Sequence, residues 1–306
     1  MKKILFLIAL AFNFVALRGQ DIYYSNYQQS LIALNPSFAG SNGGFRNQTN
    51  FRAKSGYFST YASCDMFVKK LNAGFALTYN HDDSGRGLYK NDVFNFSYAQ
   101  HLYVFDKQIK LIPSLQVGGF VRHTDRSKLS FPEGDMANIY LRTEYPWVWS
   151  NITPVSQKAN FDASAGLMIQ HKNFIFGSSV CHFTQPDEGL YGVQKLPFLL
   201  NIHSSYNWII KEKFLINLSG RFMHQQYFDG AQFMSKAVLF KHYMIGVGYE
   251  TYNGIVYNVG YKHNSFNVSI TGTYHFDTQR ATAEIGVSYT LRNKDQRKQL
   301  NSIENW

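Results

Sequence analysis

The feature that most constrains this chain is an alternation of apolar and polar residues that persists far longer than in an ordinary strand. Phe266, Val268, Ile270 and Tyr274 alternate with Asn267, Ser269, Thr271 and Thr273. Ala281, Ala283, Ile285, Val287, Tyr289 and Leu291 alternate with Thr282, Glu284, Gly286, Ser288 and Thr290. The stretches 71–80 and 214–221 follow the same rule. Period two predicts extended strands with one apolar face. Such segments run about nine to eleven residues, the length that crosses a bilayer at a tilt of about 45°, against about five or six in soluble sheets. Similar segments start near Gly44, Tyr57, Leu71, Lys90, Ile109, Asn160, Asn173, Leu196, Lys213, Phe228, His242, Ile255, Ser265 and Arg280. An even number of strands, about fourteen, suits a single-chain transmembrane barrel.

Composition agrees. Aromatic residues make up 17% of the chain and charged residues only 16%, whereas a soluble domain devotes about a quarter of its residues to charge. Beyond the first residues no apolar run is long enough for a membrane helix. The predicted fold is therefore all-β: a single transmembrane antiparallel β-barrel over residues 43–292. The connections alternate in character. Every second one is short and basic, such as Lys69-Lys70 and Lys262-His263-Asn264, while the others are longer and rich in turn formers. With short turns on the periplasmic side, both termini are expected there.

The flanking segments read differently. Lys2 and Lys3 precede an apolar run from Ile4 to Leu17 with Gly19 behind it, the pattern of a cleaved secretory signal over residues 1–19. Residues 20–42 are not strand-like and are expected to cap or plug the periplasmic mouth, because Asn35-Pro36 breaks regular structure. Residues 293–306 read as a charged periplasmic tail. Cys64 and Cys181 lie on separate predicted strands and are read as isolated wall residues. The net charge of +10 is spread over turns, which leaves no nucleic-acid footprint.

No catalytic residue, metal ligand or cofactor site emerges. The histidines sit at strand ends and turns (His81, His101, His123, His171, His182, His242, His263) or on lumen faces (His203, His275), with no ligand spacing. Neither a nucleophile elbow nor a phosphate loop occurs. Val268, Ile270, Ile285 and Val287 are assigned to the lipid face, where an arginine would damage insertion. Thr271, on the other face, is expected to tolerate one. Candidate partner-binding residues fall in the expected outer loops. They are Asp82, Asp83 and Arg86 in one turn, Tyr140, Tyr145, Trp147 and Trp149 in the long connection between His123 and Lys158, and Asp187 and Tyr191 in a third. Tyr and Trp offer rigid contact area where binding energy concentrates.

Several fragments carry a resemblance. Asn26-Tyr27 followed by Leu34-Asn35-Pro36-Ser37-Phe38-Ala39-Gly40 resembles the N-terminal signature of the PorP/SprF outer-membrane proteins of type IX secretion. The motif residues are Leu34, Asn35, Pro36, Phe38 and Gly40. Lys70 to Gly74, Lys128 to Phe131, Asn160-Phe161-Asp162 with Ala165-Gly166, and Glu284 to Tyr289 are similar pieces. The resemblance spans nearly the whole chain after the signal. It implies a fourteen-stranded, non-enzymatic barrel in the outer membrane that assists secretion or surface attachment of an adhesin carrying a type IX C-terminal signal domain. Its implied partners are that adhesin, type IX secretion components and outer-membrane lipid, with a role in gliding for some members. The alternative is a diffusion channel or a transporter of hydrophobic substrates.

Overall fold

The computed structural model describes residues 21–105, 108–125, 157–189, 193–211, 214–226, 228–251, 254–276 and 280–292. The strands are β1 (Gly44–Lys54), β2 (Tyr57–Val68), β3 (Ala73–Ser84), β4 (Tyr89–Gln100), β5 (Leu102–Val104), β6 (Ile109–Thr124), β7 (Gln157–His171) and β8 (Phe174–Cys181). They continue as β9 (Leu199–Lys211), β10 (Phe214–Gln225), β11 (Phe228–Leu239), β12 (Tyr243–Glu250), β13 (Gly254–His263), β14 (Phe266–His275) and β15 (Arg280–Arg292). Each pairs antiparallel with its sequence neighbour, except that β4 and β5 both pair with β6, and β1 pairs with β15 from Gly44↔Arg292 to Ala53↔Ala283, which closes the wall.

The wall has fourteen strands because the short β5 continues β4 after a break. Ala99 faces Ser114 and Leu102 faces Leu111 in one continuous register, which sets Gln100 opposite Pro113. Proline has no N–H to give to the ladder. On the other side the backbone N–H of His101 donates to the carbonyl of Asn72 (2.9 Å) and extends the β3 ladder.

Which side is apolar decides the environment. Along β14 the large side chains Phe266, Val268, Ile270 and Tyr274 are exposed, while Asn267, Ser269, Thr271 and Thr273 are buried. The same inversion runs through β1, β10, β13 and β15, where the buried row includes Arg46, Asn50, Asn217, Asn258 and Glu284. A protein in water does the opposite. Here the exposed face meets lipid and the buried face lines the bore. Aromatic pairs mark two levels on the outer face. Tyr243–Tyr261 and Phe266–Tyr289 (ring centroids 5.4 and 4.7 Å apart) lie near one end, and Tyr274–Phe276 (5.7 Å) near the other. These are the girdles expected at the two interfaces of a bilayer.

The two ends differ. At one, the turn end, every connection is four residues or fewer, and Asn72 and Asn264 take the left-handed conformation that asparagine tolerates. The other, the loop end, carries the connections 125–156 and 182–198. Strand β3 runs further than expected: Asp82 and Asp83 are inside it, because the ladder continues through Asp82↔Ser59 and Asp83↔Lys90.

Candidate functional site

The bore is not empty. Residues 21–43 run through it, from Asp21 beside Gln225 and His182 at the loop end to Gly43 at the turn end, where β1 begins. The segment expected to cap or plug the periplasmic mouth instead runs along the lumen, with Asp21 at the far, loop end. It has no period of its own: three short helical turns (Tyr27–Gln29, Leu31–Leu34, Pro36–Phe38) are joined by irregular backbone. Its backbone polar groups need partners that regular structure does not supply, and the polar lumen face of the barrel provides them.

Three seats hold it. Near the loop end, the carboxylate of Glu284 accepts the backbone N–H groups of Ser25 (2.7 Å) and Asn26 (3.0 Å), and the side-chain amide of Asn50 as well. Arg221 donates to the carbonyl of Tyr24 (2.6 Å), its guanidinium lying 3.8 Å from the ring centroid of Tyr23 and 4.9 Å from that of Tyr27. Lys236 reaches the side-chain oxygen of Asn26 (3.1 Å). These groups are buried, and each charge is hydrogen-bonded, as burial of an ion requires.

In the middle, Asn35 is the pivot. Its side-chain oxygen accepts the N–H of Ser37 (2.9 Å) and caps the turn that Pro36 opens. Its amide nitrogen donates to the carbonyls of Leu167 and Ser178 and lies 3.1 Å from Nε2 of His203. The wall makes room: a Cβ at Gly166 would lie 2.2 Å from Oδ1 of Asn35, and one at Gly177 would lie 2.5 Å from the His203 ring. Leu31, Ile32, Leu34, Phe38 and Ala39 pack with Ile112, Met168 and Ile175, the apolar core of the molecule.

At the turn end, Asp65 accepts from the N–H of Gly40 (2.8 Å) and from Arg46 Nε (2.8 Å), while Arg46 also donates to the carbonyl of Phe38 (2.9 Å). His101 sits 3.0 Å from the carbonyl of Ala39. Gly40 has φ +65, and a Cβ on it would lie 2.6 Å from the Cα of Gly74. A Cβ at Gly74 would lie 1.9 Å from the carbonyl oxygen of Ala39. Backbone meets backbone here, which only glycine permits. Gly74→Ala is accordingly expected to unseat residues 36–43 at a cost of about 1–3 kcal/mol or more. A cysteine at Leu34, protected in the parent protein, should then react with a thiol reagent while the barrel keeps its heat-modifiable mobility.

Sequence fragments that are far apart thus converge. Leu34 to Gly40, Gly74, Gly166 and Glu284 all belong to the segment or to its seats, and Gly286 would press a Cβ to 2.5 Å from Gln29. The family-model comparison matches residues 16–292 to the type IX secretion system membrane protein PorP/SprF. The chain belongs to the PorP/SprF family. The solved structures it is similar to are outer-membrane barrels. CymD, a monoaromatic hydrocarbon channel, is 8% identical with TM-score 0.54, covering 90% of this chain and 95% of that one. Omp33 of Acinetobacter baumannii is 8% identical (TM-score 0.48; 81% and 98%). The toluene transporter TodX of Pseudomonas putida is 9% identical (TM-score 0.46; 88% and 93%). No curated protein matches. Fold and family together place this PorP/SprF protein in the outer membrane.

The loop residues are dispersed by comparison. Asp82 accepts from the Ser59 hydroxyl and Asp83 from the N–H of Gly87, both at 2.5 Å, and Arg86 holds φ +58 in the turn that follows. Asp187 binds Lys158 (2.5 Å) and the N–H groups of Gly189 and Gln194. The Lys158 ammonium, helped by those N–H groups, holds its carboxyl down to about 2. It organises its own loop. Tyr140, Tyr145, Trp147, Trp149 and Tyr191, like Lys128 to Phe131, lie outside the described residues. Cys64 and Cys181 are both free. Among the described residues no group of three metal-binding side chains is found. Sequence reasoning did not single out Asp65, Arg46, Arg221 or Lys236. A charged residue inside an alternating strand, on the face opposite the aromatics, was the available signal.

Proposed function

We propose that this PorP/SprF protein is a non-enzymatic component of type IX secretion that assists the export or surface attachment of a secreted partner, held from the loop end. The observation that supports this best is the occupied bore. A barrel whose lumen holds a segment of its own chain, bonded to buried ions of the wall, leaves less room for solutes than an empty bore. It does offer a rigid platform that carries its long connections at one end, and rigid scaffolds commonly present binding residues in this way. The partner is a secreted surface protein or adhesin with a type IX C-terminal signal domain, and the loops carrying Asp82 to Gly87, Asp187 and residues 140–153 are the contact regions. The turn end, where β15 stops, then faces the periplasm, and Asp21 stands at the opposite, loop end rather than on the periplasmic side expected for it.

A second reading, a diffusion channel or hydrophobic-substrate transporter, draws on the fold shared with the hydrocarbon channel CymD. It requires residues 21–43 to move aside. Deleting residues 140–153 separates the two. Attachment predicts that a surface protein disappears from cells or appears in the medium while the barrel stays folded and permeability is unchanged. Unaffected surface proteins with raised uptake of small solutes would replace this reading with the transporter.

A further inference from the structure

The two ends of the lumen segment are held by different chemistry. At the turn end the bonds come from Asp65, Arg46 and backbone, packed on the apolar core. At the loop end the first described residue, Asp21, is held by one imidazole and one amide. His182 follows β8 directly and adopts φ +59, uncommon for a residue with a side chain. That conformation turns its ring between two carboxylates. Nδ1 is 2.5 Å from Oδ2 of Asp162 and Nε2 is 2.8 Å from Oδ2 of Asp21. A neutral imidazole has a single N–H, so only the doubly protonated ring donates to both. The carboxylates are fixed by others: Thr184 donates to Asp162 (3.0 Å) and Gln225 to Asp21 (3.0 Å).

We propose that Asp162, His182 and Asp21 form a protonation-controlled latch that pins the N-terminal end of the lumen segment to the loop-end wall and releases it when His182 becomes neutral. With the proton gone, one carboxylate faces a ring lone pair in a buried site, and the contact changes from attraction to repulsion. The other ionic groups facing this site are Arg122 from β6 and Glu188 from the 182–198 connection, paired with each other, and the thiol of Cys181 on β8 itself. Arg122 also acts on Asp21 in the direction of keeping it ionised.

Burial by itself would push His182 down, but Asp21 and Asp162 raise it well above the ordinary histidine value of 6.5. Its contribution is therefore complete below 6.5 and is lost as pH rises through the raised value. Asp21, although buried, is held below 3.8 by His182 and Arg122. Its contribution is complete above 3.8 and is lost as pH falls through the depressed value. The latch is closed between these limits and opens on the alkaline side by His182 alone.

The protein carries its own reporter. Cys181 is buried with Leu199 and Met223 under Tyr23, two residues beyond Asp21. In Cys64→Ala protein held in lipid nanodiscs, the rate of Cys181 labelling by a maleimide is measured from pH 6 to 10. Each rate is divided by that of the urea-unfolded chain at the same pH, and His182→Arg protein reports how far ionisation of the folded thiol alone raises the ratio. The normalised rate is expected to rise about ten-fold or more across the alkaline range, the loss of one charge-assisted bond. His182→Arg, which keeps a charge at every pH, should stay protected throughout. His182→Gln and Asp21→Asn, the latter leaving the wall untouched, should be labelled rapidly already at pH 7 with barrel mobility on gels unchanged. If His182→Arg shows the same alkaline rise, or if both neutral variants remain as protected as the parent at pH 7, the latch is wrong.

Discussion

Asp65→Ala should cost about 3–5 kcal/mol, the penalty for removing one partner of a buried ion pair. Asp65 and Arg46 face each other at 2.8 Å with side chains almost wholly buried, and Asp65 also accepts the N–H of Gly40. Without the carboxylate, a guanidinium and a backbone N–H lose their partner at the point where the lumen segment turns into β1. The urea midpoint for loss of heat-modifiable mobility should fall accordingly. Arg46→Met combined with Asp65→Leu should recover part of that loss, since removing both charges leaves no stranded ion. A double variant less stable than Asp65→Ala would show that the pair's value lies elsewhere than in mutual neutralisation.

Ile270→Arg should cost about 2–4 kcal/mol near the bilayer midplane, because Ile270 is 52% exposed on a face that meets lipid. Thr271→Arg, next along β14, should do no better. Its side chain is fully buried and its hydroxyl accepts from Asn258 at 2.7 Å. The polar face was expected to tolerate an arginine better, but at Thr271 that face is packed rather than solvated. Thr290→Arg, on the polar row but only half-buried near the turn end, is the control that should fold. Folding yield in detergent refolding, read from gel mobility, orders the three. Equal yields for Ile270→Arg and Thr290→Arg would reverse the assignment of faces.

The wall was legible because a strand's environment repeats every two residues, so Phe266 to Tyr274 declares both its conformation and its two neighbours, lipid and lumen. Strand ends were harder. Asp82 and Asp83 look like turn residues, yet their backbone pairs with β2 and β4, and a ladder is a property of neighbouring strands. The lumen segment was legible only as an absence of period. Its structure is set by partners such as Glu284 for Ser25 and Arg221 for Tyr24, about 200 or more residues away. Glycine carried more of this information than its frequency suggests. Gly74 reads as an ordinary strand residue until Ala39 is placed against it.

The closing contact of the wall has a consequence for assembly. β1 and β15 are the first and last strands made, and residues 21–43 lead directly into β1. The carboxylate that receives Ser25 and Asn26 is on β15, beside that same seam. A segment seated while the sheet is still an open ribbon would make its last bonds only when the C-terminal strand arrives, and closure and filling would then be one event. Until β15 arrives, Ser25 and Asn26 lack the Glu284 carboxylate and β1 has one bare edge, while Arg46 already has Asp65 on the neighbouring β2. Closing that edge onto β15 brings Glu284 to Ser25 and Asn26. The plug is in this sense the barrel's internal mould, and a chain lacking it would have to shut a polar bore around water.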